Sequence, residues 1–408
     1  MRVLILGLNY LPETTSIGPY TADLAEYLRH SGHDVRVVTA FPTAPYWRVW
    51  DGYTNRLFMR DVINDVPVLR TCLYVPKNPK NILKRILFDT SFAISALVGG
   101  FLNSPCDIVV VISPPLQLGV VGWLLGKMWK APVFFHIQDI VPDAGVATGM
   151  LKERGAAIVL ARRLERFVYS KASMIGVICD GFKLNLLAKG IPSNKVVILP
   201  DYVDLDYMHL HDRNNNFRLE HGIGPNDFVV MYSGSIGLKQ GLETLVEAAS
   251  ELRNYKDILF IILGEGPSLS ELRTRAKQIN LGNLRFLPLQ PRDGLPQQLA
   301  AADVLVITQR REMTAYIFPG KLLYYMAASR PILAAVNQDS ETGRFVQRKQ
   351  VGLVVPPEDP KALAKAILDL RQDRGRSFGE NGRRLAETQF DRRIVLDKFT
   401  KQLMVLTG

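Results

Sequence analysis

At 408 residues the chain is longer than a single hydrophobic core usually spans, so two domains of roughly 200 residues are expected. With 47% hydrophobic and 22% charged residues it has an ordinary globular composition, which excludes a disordered chain. A formal net charge of +11 calls for an anionic partner: nucleic acid, a phosphorylated small ligand or an acidic membrane face. No zinc-finger, helix-turn-helix or aromatic RNA-binding motif accompanies that charge, so no nucleic-acid partner is expected.

In chain order, short Val/Ile-rich runs at 3–6, 35–39, 108–112, 133–137, 174–178 and 196–199 lack strict alternation, as strands covered on both faces do. Helical stretches lie between most of them, which implies a parallel sheet wound on both sides with ligands at the C-terminal strand ends. The first run leads into a polar loop ending at Gly18, and Pro19 suits the first turn of the helix that follows. Gly32 closes that helix before His33-Asp34 enters the next strand. The run at 92–102 is the most apolar, but it is shorter than the about 20 residues needed to cross a bilayer. The N-terminal apolar run is too short for a signal peptide. Cys72, Cys106 and Cys179, unevenly spaced among apolar neighbours, read as buried thiols, so a cytoplasmic, soluble or peripheral protein is expected.

Residues 213–216, Arg-Asn-Asn-Asn, read as a linker into a second half that repeats the alternation. There the run from Phe228 ends in Ser233-Gly234-Ser235-Ile236-Gly237-Leu238-Lys239-Gln240-Gly241, and the next, 258–263, ends in Gly264-Glu265-Gly266. Two glycine-rich turns at adjacent strand ends make a phosphate-sized pocket. Further strands are expected at 303–307, 331–335 and 351–355, and helices at 360–372, 381–388 and 395–406.

Asn9-Tyr10-Leu11-Pro12-Glu13 with Ile17-Gly18, Gly32-His33, His136-Ile137-Gln138-Asp139, Leu199-Pro200-Asp201-Tyr202-Val203-Asp204, Gly264-Glu265-Gly266-Pro267, Ala300-Ala301-Ala302-Asp303-Val304 and Pro319-Gly320-Lys321-Leu322-Leu323 follow one another in order along the whole chain. Together they resemble glycosyltransferase family four, the retaining GT-B sugar transferases, and within it the bacterial exopolysaccharide branch that includes colanic-acid fucosyltransferase-like proteins. The resemblance implies an α/β protein of GT-B fold: two doubly wound Rossmann-like domains with the active site in the cleft between them. Residues 1–200 would bind the acceptor and 201–390 the nucleotide sugar, and 391–408 would form a helix crossing back to the N-terminal domain. It further implies a UDP- or GDP-sugar as donor substrate, no cofactor, no metal, and a glycan acceptor, polyprenyl-diphosphate-linked in many such enzymes.

Moving a sugar off a nucleotide diphosphate requires fixed cations and aligned amides at the leaving phosphate. Lys239 stands where the family places a phosphate-binding lysine; a solvated lysine at a helix start is the plainer alternative. Ser235 replaces an arginine of many relatives, and Lys321, after Pro319-Gly320 at a helix start, is the candidate replacement cation. The family's spaced pair of donor-binding glutamates is absent, with Tyr316 and Tyr324 in their place. Glu312 is the nearest upstream acid, either a sugar contact or an exposed loop residue. Gly234, Gly264 and Glu265 border the expected nucleotide site, and Gln290 the base.

In the first half, Gly18 suits an amide that approaches a diphosphate, or an ordinary turn. His136 ends a strand and is either a sugar-hydroxyl donor or a satisfied core histidine. Asp139 and Asp143 follow; one could hold the acceptor hydroxyl or orient His136, or both could cap a helix. Lys77, Lys80, Lys84 and Arg85 interleave with Ile82, Leu83, Ile86, Leu87 and Phe88 as in a helix lying on an anionic bilayer, although a solvated face over a core predicts much the same pattern. Arg162, Arg163 and Arg166 would extend that basic surface. Against the transferase stand a noncatalytic sugar-nucleotide-binding subunit, a sugar-nucleotide epimerase, and, weaker for want of a Gly-x-Gly-x-x-Gly after the first strand, a nicotinamide-dependent dehydrogenase.

Overall fold

The computed structural model describes residues 1–14, 17–79, 81–147, 155–312 and 319–408. The chain divides into two compact units, one of Met1–Pro200 with Leu396–Gly408, the other of Asp201–Val395.

The first unit holds an eight-stranded sheet. Its strands are β1 (Arg2–Gly7), β2 (Asp34–Ala40), β3 (Phe58–Ile63), β4 (Val66–Thr71), β5 (Ile108–Ser113), β6 (Val133–Ile137), β7 (Met174–Val177) and β8 (Val196–Ile198). Their spatial order is β3-β4-β2-β1-β5-β6-β7-β8, parallel throughout except for β3, which pairs antiparallel with β4. Every residue of β5 and β6 is buried, which is why these segments read as unbroken apolar runs rather than alternating ones.

The hairpin of β3 and β4 escaped the sequence reading. Its two-residue turn, Asn64-Asp65, has both residues at positive φ, 50° and 62°, a conformation that Asn and Asp tolerate and that matches the twist of paired strands. At the sheet's edge β3 is half exposed and carries polar residues, so it lacks the apolar signature of its neighbours.

The second unit holds a wholly parallel six-stranded sheet of β9 (Phe228–Ser233), β10 (Ile258–Leu263), β11 (Leu284–Leu287), β12 (Val304–Thr308), β13 (Ile332–Ala335) and β14 (Gly352–Val355), in the order β11-β10-β9-β12-β13-β14. Successive residues serve opposite layers. Val229, Met231, Ile261 and Leu305 join one core, and Val230, Tyr232, Phe260 and Val306 the other. Truncating a fully buried ring such as Phe260 would cost about 3–5 kcal/mol. The short edge strand β11 was also missed, its four residues being only half-buried.

Residues 213–216 are not a free linker. The Arg213 guanidinium bonds Asp303 and the Asp227 carbonyl, and the Asn215 side chain caps the helix Asn216–Glu220 by accepting from the Arg218 amide. Arg218, almost fully buried, meets the same Asp303 at 2.7 Å. Asp303, which also accepts from the Val229 amide, thus anchors the entry segment to the start of β9. A polar run reads as linker from composition alone because its long-range partner is invisible there.

The last helix, Arg392–Thr407, belongs from Leu396 onward to the first unit, where Phe399 packs its ring on Phe134 at 4.9 Å. Cys106 and Cys179 are buried and Cys72 only half so; all three are thiols rather than disulfides. Among the described residues no helix is long and apolar enough to cross a membrane.

Candidate active site

In a parallel α/β sheet the C-terminal strand ends are where loops open toward ligand. In the second unit β9 and β10 both run into glycines held in the left-handed half of backbone space, Gly234 at φ 140°, Gly264 at 141° and Gly266 at 154°. A Cβ on Gly264 would stand 1.9 Å from the Gly234 carbonyl oxygen, so the two turns touch backbone to backbone. They are tied by hydrogen bonds from the Gly234 amide to the Leu263 carbonyl (2.9 Å) and from the Ile236 amide to the Glu265 carbonyl (2.8 Å).

Two tyrosines hold this arrangement from below. The Tyr325 hydroxyl accepts from the Ser233 amide at 3.0 Å and donates to the Ser233 carbonyl at 3.1 Å, and the Tyr232 hydroxyl donates to the Ser235 carbonyl at 2.6 Å. Burial pushes both phenols well above their usual range, so they remain neutral donors.

Lys321, the first residue of the helix Lys321–Ala327, projects its amine into the same place. Its Nζ lies 3.7 Å from the centroid of the Tyr232 ring and 2.8 Å from where a Cβ on Gly234 would be. The amine is buried and, among the described residues, has no hydrogen-bond partner. Burial lowers its pKa to about 7, and the ring face offsets only part of the lost hydration. Thr308 Oγ1, Gln309 Oε1 and Ser268 Oγ are likewise buried without partners. Ser268 follows the Gly264–Gly266 turn, its amide donating to the Ile236 carbonyl, and Thr308 and Gln309 lie at and just beyond the end of β12. Buried polar atoms are nearly always paired. An unmatched cation at the end of β9, on the same edge of the sheet as unmatched hydroxyl and amide groups at the ends of β10 and β12, suits an anionic, oxygen-rich ligand.

The remaining sequence candidates of this unit fall around that cluster. The Ser235 and Glu265 side chains are exposed on the two turns. Lys239 is exposed on the short turn Leu238–Gln240, closed by Gly241 at φ 58°. Its carbonyl accepts from the Arg310 amide, while the Arg310 guanidinium bonds the Leu238 carbonyl and Glu243. Gln290 turns its amide back onto the Pro288 carbonyl of its own loop at 3.1 Å. Pro319 and Gly320 accept from the Leu322 and Leu323 amides and so begin the helix that positions Lys321. Tyr324 is half-buried against the core. Glu312 is exposed at the start of a segment of which 313–318, with Tyr316, lie outside the described residues.

In the first unit, Gly18 opens the helix Gly18–His30 with no room for a side chain, since a Cβ would stand 3.0 Å from the Glu13 carbonyl oxygen and 3.5 Å from the Tyr10 amide. Thr15 and Ser16 of the preceding loop lie outside the described residues. The loop is fixed by the buried Glu13 carboxylate, which accepts from Asn9 Nδ2 (2.9 Å) and the amides of Thr43 (2.6 Å) and Ala44 (2.7 Å). Sequence reasoning quoted Glu13 within its motif and gave it no task. Its proximity to Thr43 is a contact between the loops after β1 and β2, beyond the reach of local spacing.

His136 is fully enclosed at the end of β6. Its ring stands 5.2 Å from that of Phe399, and its Nε2 is 3.0 Å from Gln138 Nε2. Burial, against a smaller opposing pull from the Gly176 backbone, lowers its pKa to about 4, so the imidazole is neutral. Gln138, rather than Asp143, meets the ring: Asp143 lies in the helix Val141–Ala147 and binds Lys189 at 2.8 Å and Asn185 at 3.0 Å. Asp139 is exposed just before that helix. Among the described residues no three His, Cys, Asp or Glu side chains converge as a metal-ligand set.

Comparison with known proteins agrees with these two halves. Residues 15–201 match the glycosyl transferase 4-like domain and residues 227–373 the glycosyl transferases group 1 domain. WcaI of Escherichia coli (strain K12), a glycosyl transferase assigned by name to colanic acid biosynthesis, is 32% identical over 90% of this chain and 91% of its own. Among solved structures, sucrose-phosphate synthase from Thermosynechococcus elongatus superposes with a TM-score of 0.74 at 19% identity, covering 99% of this chain and 98% of that one. Anabaena HepE, solved with UDP, also gives 0.74, at 16% identity over 99% of this chain and 100% of its own. Two parallel-sheet units, each matching its own transferase domain, and a relative alike over nearly the full length lead to one conclusion: the chain belongs to the GT-B glycosyltransferases that join a glycosyl transferase 4-like domain to a group 1 domain.

Proposed function

We propose that the protein moves a hexose-type sugar, with retention of anomeric configuration and without a metal, from a UDP- or GDP-sugar to a glycan acceptor borne on a polyprenyl diphosphate. Its place would be cytoplasmic assembly of an exopolysaccharide or cell-surface polysaccharide. The observation that carries this reading is the buried Lys321 amine beside Gly234, without a hydrogen-bond partner among the described residues. A diphosphate seated there would supply the missing counter-charge and leave the amine opposite the charge that grows as the glycosidic bond breaks. The naming of WcaI for colanic acid biosynthesis and the UDP bound by HepE support the substrate classes. In the proposed step the bond from anomeric carbon to diphosphate oxygen breaks while the acceptor hydroxyl oxygen bonds the same carbon from the same face. The hydroxyl proton passes to the departing diphosphate, whose charge Lys321 and Lys239 hold. The N-terminal unit handles the acceptor.

The test is to incubate purified protein with a panel of UDP- and GDP-sugars and membrane lipid extract, measuring nucleotide release, the anomeric configuration of the product and its persistence in chelator. Release stimulated by acceptor, a retained anomer and insensitivity to chelator are expected. Binding of a sugar nucleotide with no turnover on any acceptor would leave the noncatalytic subunit, which the tyrosine at 324 and serine at 235 favour over a fully equipped transferase. Conversion of the donor without acceptor would indicate the epimerase. Absence of nucleotide binding would sink all three.

A further inference from the structure

The helix Ile82–Phe101 presents an apolar stripe with nothing of its own unit covering it. Leu83 is 71% exposed, Ile94 63% and Phe101 51%, with Leu87 and Val98 also exposed. At helical spacing these five positions fall within an arc of about 60° and run some 27 Å along the axis. The buried face, with Phe88, Phe92 and Ala96, lies on the other side. Phe88 therefore belongs to the core rather than to the amphipathic surface suggested by sequence, and the apolar surface continues well beyond it. The neighbouring helix Leu118–Trp129 packs so closely that a Cβ on Gly100 would stand 2.4 Å from Leu125 Cδ1, and it adds exposed Leu124 and Met128.

The exposed charges of these two helices have one sign. Lys84 borders it, and Lys127 and Lys130 are exposed at the end of the neighbouring helix. Arg85 stacks on Trp47 at 5.2 Å. The sole acid of the two helices is Asp89, which helical spacing sets on the far side from the stripe and whose carboxyl burial raises to about 7. Lys80, part of the basic run read from sequence, lies outside the described residues, while Arg162, Arg163 and Arg166 are exposed on the helix Ala156–Lys171 of the same unit.

We propose that the outward face of the helix Ile82–Phe101, with Leu124 and Met128 beside it, is a docking surface for an anionic lipid bilayer. An apolar stripe edged by lysines and lacking acids suits acyl chains below and phosphate head groups at the rim. A second copy of the chain suits it poorly, because two such faces would set Lys84, Lys127 and Lys130 against their own like charges. The surface belongs to the first unit and the Lys321 cluster to the second, and the proposal does not depend on the sugar-transfer reading.

The experiment is co-sedimentation of the full chain with vesicles of pure phosphatidylglycerol or pure phosphatidylcholine, at low and high salt, alongside sedimentation velocity without lipid. Binding to phosphatidylglycerol that weakens with salt is expected, and Leu83→Asp and Ile94→Asp should each lower it about tenfold. Both positions are exposed, so thermal midpoints should match the unsubstituted protein, and the two sites are far enough apart that misfolding of one variant leaves the other informative. Absence of vesicle binding, binding indifferent to both substitutions, or a lipid-free dimer that either substitution splits would each overturn the proposal.

Discussion

The strand ends of the two sheets solve opposite problems. Around β1 and β2 the protein meets its buried charges from within: the Glu13 carboxylate accepts three hydrogen bonds from two loops, and buried Arg70 donates to the Ala40 and Leu11 carbonyls with Asp61 at 3.8 Å, although Arg70 Nε and the neutral Tyr10 hydroxyl have no hydrogen bond there. Around β9, β10 and β12 it leaves needs open: Lys321 Nζ, Thr308 Oγ1, Gln309 Oε1 and Ser268 Oγ are buried with no hydrogen-bond partner among the described residues. Internal satisfaction fixes a loop's shape before any ligand arrives. An unmet charge makes the ligand part of the fold's electrostatics, at a cost to the unliganded state.

The sharpest way to break that contrast is Lys321→Met. If the amine exists to meet a diphosphate, turnover should fall about a thousandfold, roughly 4 kcal/mol of transition-state stabilisation, while the unliganded protein holds or gains stability because an unpaired buried cation is gone. Steady-state rates and thermal melts check the two halves. A variant that loses stability and keeps turnover would make Lys321 a packing residue.

Next in size is Glu13→Ala, which strands two backbone amides and the Asn9 amide. A loss of about 3 kcal/mol in chemical denaturation is expected, with nucleotide affinity measured below the transition unchanged. Equal loss from Glu13→Gln would show that charge, rather than acceptor geometry, holds the loops.

The pH dependence sharpens the same comparison. The folded amine titrates at about 7 and a free lysine near 10.4, so between these values the unfolded chain binds more protons and the unliganded protein gains stability as pH rises. A bound diphosphate restores the charge, so nucleotide affinity should fall up to about tenfold per unit above pH 7. Calorimetry at about pH 8 in buffers of different ionisation enthalpy should count close to one proton taken up per nucleotide bound; zero uptake would separate Lys321 from the ligand. The smallest effect expected is from Ser235→Arg on the exposed turn: a severalfold tighter UDP complex, read by titration, or no change if Lys321 already satisfies the diphosphate.

Much of the second unit was legible because its signals are local. Buried parallel strands write themselves as Val/Ile runs, and Gly234, Gly264 and the Pro319-Gly320-Lys321 step stand where backbone needs dictate them. What stayed hidden depends on contacts across the chain. Nothing near Lys321 in sequence announces that Tyr232 lies under its amine, or that Tyr325 grips Ser233. Arg213 looked like linker because Asp303 is distant in sequence. The hairpin turn Asn64-Asp65 was a local signal, and it was overlooked because Phe58–Ile63 mixes polar and apolar residues as edge strands do.

The backbone contact between Gly264 and the Gly234 carbonyl has a practical corollary for anyone wishing to vary what these turns bind. The two turns behave as meshed gears, so a library that varies either glycine would jam both. Diversity belongs instead at Ser235 and Glu265, whose side chains leave the gearing outward and can be exchanged without moving the teeth.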